Sequence, residues 1–91
     1  MDIWKVFGLN MRRHRTAAGT SQEALAVQMG VDRAHVSSME RGKQNVTLTT
    51  LLNAADALGI KPAALLDEGV MTAAEKSTAK VARKPRTKPG G

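Results

Sequence analysis

Glycine punctuates this chain at short intervals: Gly19, Gly30, Gly42 and Gly59 each follow a short block in which apolar side chains recur at helical spacing. The pattern allows short helices separated by tight turns and contains no strand-period segment and no internal repeat. The first block predicts a helix from Asp2 to Ala17, with Ile3, Phe7 and Met11 on one face and Gly19 past its end. Ser21, or Thr20 with Glu23 as a capping box, opens a second helix whose inner face is Leu25, Ala26 and Met29, and Gly30 stops it. After the turn Gly30-Val31-Asp32, Asp32 is placed to cap a third helix from Arg33 to about Arg41, with Val36 and Met39 inward. Thr47 is the expected N-cap of a fourth helix carrying Leu48, Leu51, Ala55 and Leu58. Pro62 starts a short fifth helix with Leu65 and Leu66.

Composition agrees with an all-α fold. The hydrophobic share of 42% comes mainly from Ala, Leu, Val and Met, with one Trp, one Phe and no Tyr, a set that favours helix over strand. The 91 residues make one small domain, and a unit of this size buries only about 60% of the surface its unfolded chain exposes. So small a core rarely supplies both the walls and the catalytic groups of an enclosed site, which favours binding over catalysis. No nucleophile and base, carboxylate dyad or metal cluster can be assembled at sensible spacing, so no enzyme activity, metal or cofactor is expected. With no Cys there is neither a disulfide nor a thiolate metal site, and His14 and His35 are too far apart to form a local ligand pair. The start Met1-Asp2-Ile3-Trp4 lacks a basic region ahead of an apolar stretch, and no run is long enough to span a membrane. A cytoplasmic address, associated with the nucleoid, is the expectation.

Charge divides the chain in two. Residues 1–71 hold eight Lys and Arg against seven Asp and Glu, a net of +1, whereas the twenty residues beyond carry +5 of the total +6. That segment, rich in Lys, Arg, Pro and Ala, has too few large apolar residues to offset the entropy of ordering it. The division is therefore a domain over residues 1–70 and a flexible basic tail over 71–91, which can neutralise phosphates nonspecifically. The near-neutral domain cannot be assigned a nucleic-acid partner on charge alone.

Pattern carries that assignment. From Gln22 to Arg41 the chain meets the demands of two helices crossing steeply over a tight turn. Ala26 is small where they touch, Gly30 accepts a positive φ, and Leu25, Met29, Val36 and Met39 form an apolar seam. Here the sequence resembles the Cro and phage-repressor type of helix-turn-helix domain. The matching residues are Ser21 to Ala26, Met29-Gly30-Val31, Val36 to Gly42, Thr50-Leu51, Ala55 and Ala57 to Ile60. Within that family, Asp32 to Ser37 followed by Met39-Glu40-Arg41 looks most like the controller proteins of restriction-modification systems. The family's frequent Pro near Val46 is absent, and the basic tail is outside its pattern.

The resemblance implies a compact five-helix, lambda-repressor-like domain whose third helix lies in the major groove of double-stranded DNA. Arg33, Ala34, His35, Ser37 and Ser38 would line its outward face, Arg33 reaching guanine O6 and N7 and Ala34 a thymine methyl. Ser21 and Gln22 at the start of the second helix, and Asn45 and Thr47 in the loop before the fourth, would meet phosphates. Ala26, Gly30, Val36 and Met39 are structural, and Arg15 would pair with Glu40. A homodimer is implied, and its contact is expected at the fifth helix, Ile60, Ala64, Leu65 and Leu66, where apolar content exceeds what so small a core can bury. The function expected is a sequence-specific transcriptional regulator on a pseudo-palindromic operator. Its rivals are an antitoxin-type or other protein-binding module whose DNA binding is autoregulatory, and a nonspecific DNA binder driven by the tail.

Overall fold

The computed structural model of the protein describes residues 2–70, which form four α-helices followed by two 3-10 turns. The helices are α1 (Ile3–Ala17), α2 (Gln22–Met29), α3 (Arg33–Glu40) and α4 (Leu48–Leu58). No strand occurs among the described residues, and no helix there is long and apolar enough to cross a membrane. The expected basic tail lies outside the described residues.

Local chemistry sets most of the boundaries. Asp2 accepts from the backbone N–H groups of Trp4 and Lys5, Ser21 from that of Ala24, and Thr47 from that of Thr50, so three helices begin at a side-chain cap. Ser21, rather than Thr20, is therefore the cap of α2. Asp32 occupies the N-cap position of α3 in extended backbone, but its side chain makes no capping bond. Gly30, at φ 75°, ends α2 in the left-handed region that L side chains avoid.

Two expectations about the core need correction. Ile3 and Leu48 fall on the apolar sides of α1 and α4 by spacing, yet both are exposed, Leu48 to 77%. Each sits in the first turn of its helix, where the core no longer reaches. The core instead gathers Phe7 and Met11 from α1, Leu25, Ala26 and Met29 from α2, Val36 and Met39 from α3, and Leu51, Ala54 and Ala55 from α4.

The expected fifth helix is a 3-10 helix, Pro62–Leu66, followed by a second 3-10 turn, Glu68–Val70. Five residues fix too few hydrogen bonds to offset the cost of nucleating an α-helix. What fastens this stretch is Asn10, fully buried on α1. Its Nδ2 group donates to the carbonyls of Val6, Leu65 and Asp67 at 3.1, 3.2 and 2.9 Å. Two of those carbonyls, of Leu65 and Asp67, are thereby tied to α1. Leu65, 0% exposed, drops between α1 and α4 into the same core. It therefore cannot form part of an exposed dimer contact, which corrects its expected role.

Candidate nucleic-acid interface

The angle between α2 and α3 is fixed from inside by five buried side chains, Leu25, Ala26, Met29, Val36 and Met39. Asn53 of α4 adds a polar fastener, donating from Nδ2 to the Met29 carbonyl at 2.9 Å, where the end of α2 would otherwise leave that oxygen unpaired.

The far end of α3 is clamped to α1. Gly8 of α1 lies against the α3 C-terminus so closely that an added Cβ would stand 2.4 Å from the Met39 carbonyl oxygen and 2.7 Å from that of Glu40. Beside this contact the Glu40 carboxylate, 3% exposed, accepts from Arg15 through Nε and, at 3.0 Å, through Nη2. It also accepts from Gln22 Nε2 at 3.1 Å, while Arg15 Nη1 donates to the Thr20 carbonyl at 2.9 Å. One carboxylate thus ties together α1, α2 and α3. Its hydrogen bonds hold the Arg15 pKa above the ordinary arginine value, with burial pulling the other way and the charge of Glu40 adding to the rise. Arg13 and Asp67, 3.9 Å apart and both half-exposed, make only a surface pair of little weight.

This frame leaves one side of α3 uncovered. Arg33 and Ala34 at its N-terminal end are exposed, while His35, Ser37 and Ser38 are half-buried. Ser37 Oγ accepts from Arg41 Nη1 and Ser38 Oγ from Gln44 Nε2, each at 3.1 Å. At the start of α2, Ser21 is exposed, but its hydroxyl is occupied as the cap. Gln22 spends one amide hydrogen on Glu40 and keeps the other. Asn45 and Thr47 are exposed in the loop before α4, where Thr47 also donates to Thr50 Oγ1. Among the described residues no group of His, Cys, Asp and Glu could hold a metal ion.

Sequence reasoning missed Gly8, Asn10, Gln44 and Asn53. Gly8 did carry a signal, since a glycine inside a helical pattern costs about 1 kcal/mol relative to alanine and implies a compensating close approach. Asn10 had one too, lying three residues after Phe7 and beside Met11 on the apolar arc of α1. Gln44 and Asn53 act on partners that only the folded chain brings near them.

Comparison with known proteins fits this architecture. A hypothetical transcription factor of Neisseria meningitidis serogroup B is 43% identical over 65 residues, which are 71% of this chain and 61% of the Neisseria protein. The control protein C.SmaI of Serratia marcescens is 41% identical over 66 residues, 72% of this chain and 79% of that one. The crystal structure of the restriction-modification controller protein C.AhdI from Aeromonas hydrophila superposes with a TM-score of 0.65 at 47% identity, covering 68% of this chain and 90% of that one. The sequence model of the Helix-turn-helix family matches residues 11–65, the stretch that holds α2, the Gly30 turn and α3, and the chain belongs to that family.

Proposed function

We propose that the protein regulates transcription by binding duplex DNA sequence-specifically, as a homodimer on a pseudo-palindromic operator, with α3 in the major groove. The observation that carries this reading is the division of α3: its inner face and C-terminal end are locked to α1 and α2, while Arg33 and Ala34 stand exposed at the other end. A rigid helix with a free leading edge is what a base-reading element requires. The names of the relatives, a transcription factor and restriction-modification control proteins, support the same reading.

In this assignment Arg33 forks onto guanine O6 and N7, Ala34 meets a thymine methyl, and His35, Ser37 and Ser38 complete the reading surface. Ser21 and Gln22 with the first amides of α2, and Asn45 and Thr47, contact the backbone. The dimer surface keeps Ile60, Ala64 and Leu66 and loses Leu65. Leu48 and Leu52, 77% and 55% exposed and four residues apart on α4, add apolar area on the helix against which the 3-10 turn packs.

Footprinting on the DNA upstream of the protein's own gene tests the operator, and Arg33→Ala tests the helix. That variant is expected to lose about 1 to 3 kcal/mol on the protected sequence and almost nothing on random duplex. An equal loss on both reduces Arg33 to a backbone contact.

A further inference from the structure

The two serines on the uncovered side of α3 are each held from behind by a donor. Ser37 Oγ accepts from the Arg41 guanidinium and Ser38 Oγ from the Gln44 amide nitrogen. Neither a guanidinium nor an amide nitrogen can accept in return. A serine hydroxyl has one hydrogen and two lone pairs, and here a lone pair is taken in each case. Among the described residues neither serine hydroxyl donates to any protein group. Thr16 shows the alternative, since its Oγ1 donates to the Arg12 carbonyl one turn back at 3.0 Å. The hydrogens of Ser37 and Ser38 are therefore unspent, and Arg33 beside them has donors only.

We infer that Gln44, with Arg41, is a positioning residue that sets the hydrogen-bond polarity of α3's outer face, so that this face offers donors and takes acceptor groups from DNA. The inference rests on the proposed reading of DNA by α3 and adds what that helix selects. The acceptors available are guanine O6 and N7, adenine N7 and thymine O4 in the major groove, and phosphate oxygens along its edge. A cytosine or adenine amino group placed opposite Ser38 finds a single remaining lone pair and leaves the hydroxyl hydrogen unspent, so it is the poorer partner. Gln44 is the firmer of the two constraints. Its bond is partly buried, whereas the Arg41 bond is exposed to competing water.

The test uses the full chain and duplexes selected by it from a randomised library. The selected duplex is scanned with 7-deazaguanine, 7-deazaadenine and 4-thiothymine for the base acceptors and with single methylphosphonates for the phosphate oxygens. Gln44→Met removes the donor at similar length, and Gln44→Glu replaces it with an acceptor that turns the Ser38 hydrogen inward. The wild type is expected to lose about two- to tenfold at the position facing Ser38, the size of one neutral hydrogen bond. In Gln44→Met and in Ser38→Ala that loss falls below about twofold, on the same scale. Because Gln44→Glu adds a negative charge and weakens every duplex, it is read only as relative preference. It should favour an amino group at the same base pair or, where a phosphate is the partner, abolish the methylphosphonate effect. Base and phosphate outcomes both support the polarity and differ only in its source. Identical scans and preferences in the wild type and both Gln44 variants overturn the inference. A wild type that selects no sequence overturns the preceding functional reading instead.

Discussion

The α2–α3 unit and the segment from Ile60 to Val70 both pack on α1, yet they are held by different means. In α2–α3 the signals that shape the chain lie within it: Ser21 caps the first helix, Gly30 makes the turn, and the seam residues fall at helical spacing. The later segment has no side-chain cap at Lys61 and takes its fastening from Asn10, more than fifty positions earlier. A structure stitched by its neighbours can be read off the chain, and one stitched from afar cannot. The contrast also separates duties, since the first region presents the candidate reading helix, while the second completes the core beneath it and carries the proposed dimer residues Ile60, Ala64 and Leu66.

The largest expected effect comes from the point where the first region is tied to α1. Arg15→Leu strands the buried Glu40 carboxylate and should cost about 3 to 5 kcal/mol in urea unfolding, although the intact pair itself adds less than that. Because Glu40 raises the pKa of Arg15, the stabilisation is complete below arginine's unfolded value and is lost only as pH rises through the still higher folded value. Arg15 therefore gives no titration of stability near neutral pH, which an unfolding series of the wild type from pH 6 to 9 checks.

Gly8→Ala comes next, at about 3 kcal/mol, because the new methyl meets backbone oxygens that cannot swing aside and the α1–α3 contact must open. It should also weaken DNA binding at temperatures where the chain is still folded, by tilting α3. Unchanged binding in that regime would show that the clamp serves stability alone.

Asn10→Leu probes the second region. It leaves the buried Leu65 carbonyl without its side-chain donor, takes one of two donors from that of Asp67, and should cost about 2 kcal/mol by thermal melting. Base preference within one half-site should survive in the folded fraction, and its loss would mean that reading does not belong to the first region alone. The smallest effect is expected from Gly30→Ala, about 1 kcal/mol, since its methyl meets nothing within 4 Å and only the positive φ resists it.

Legibility follows the same line. The four helices, the caps Ser21 and Thr47 and the seam between α2 and α3 were visible because each depends on residues a few positions apart, whereas the cap at Asp2 was not anticipated and the one expected of Asp32 does not form. The partnership of Arg15 with Glu40 was not visible in spacing and came only through resemblance to a family. Leu65 shows the opposite failure: its apolar neighbours Ala64 and Leu66 suggested a surface patch, but a 3-10 turn pinned by Asn10 directs it inward. Ile3 and Leu48 kept the right period and still lie outside, because periodicity gives the face of a helix and not how far along it the core extends. Of the candidate site, the exposed positions on α3 could be anticipated, while the bond from Gln44 to Ser38 required the loop to fold back.

The clamp on Glu40 has a consequence for how such a protein can change. The groups that hold α3 are Val36 and Met39 within and Glu40 at its end, whereas the side chains of Arg33 and Ala34 are exposed and make no hydrogen bond or ion pair among the described residues. On the proposed assignment, holding and reading therefore fall to different residues of one eight-residue helix. Copies of the gene can drift at the leading edge of α3 toward new DNA targets without passing through an unfolded ancestor. A designer can retarget the helix there for the same reason, leaving the scaffold untouched.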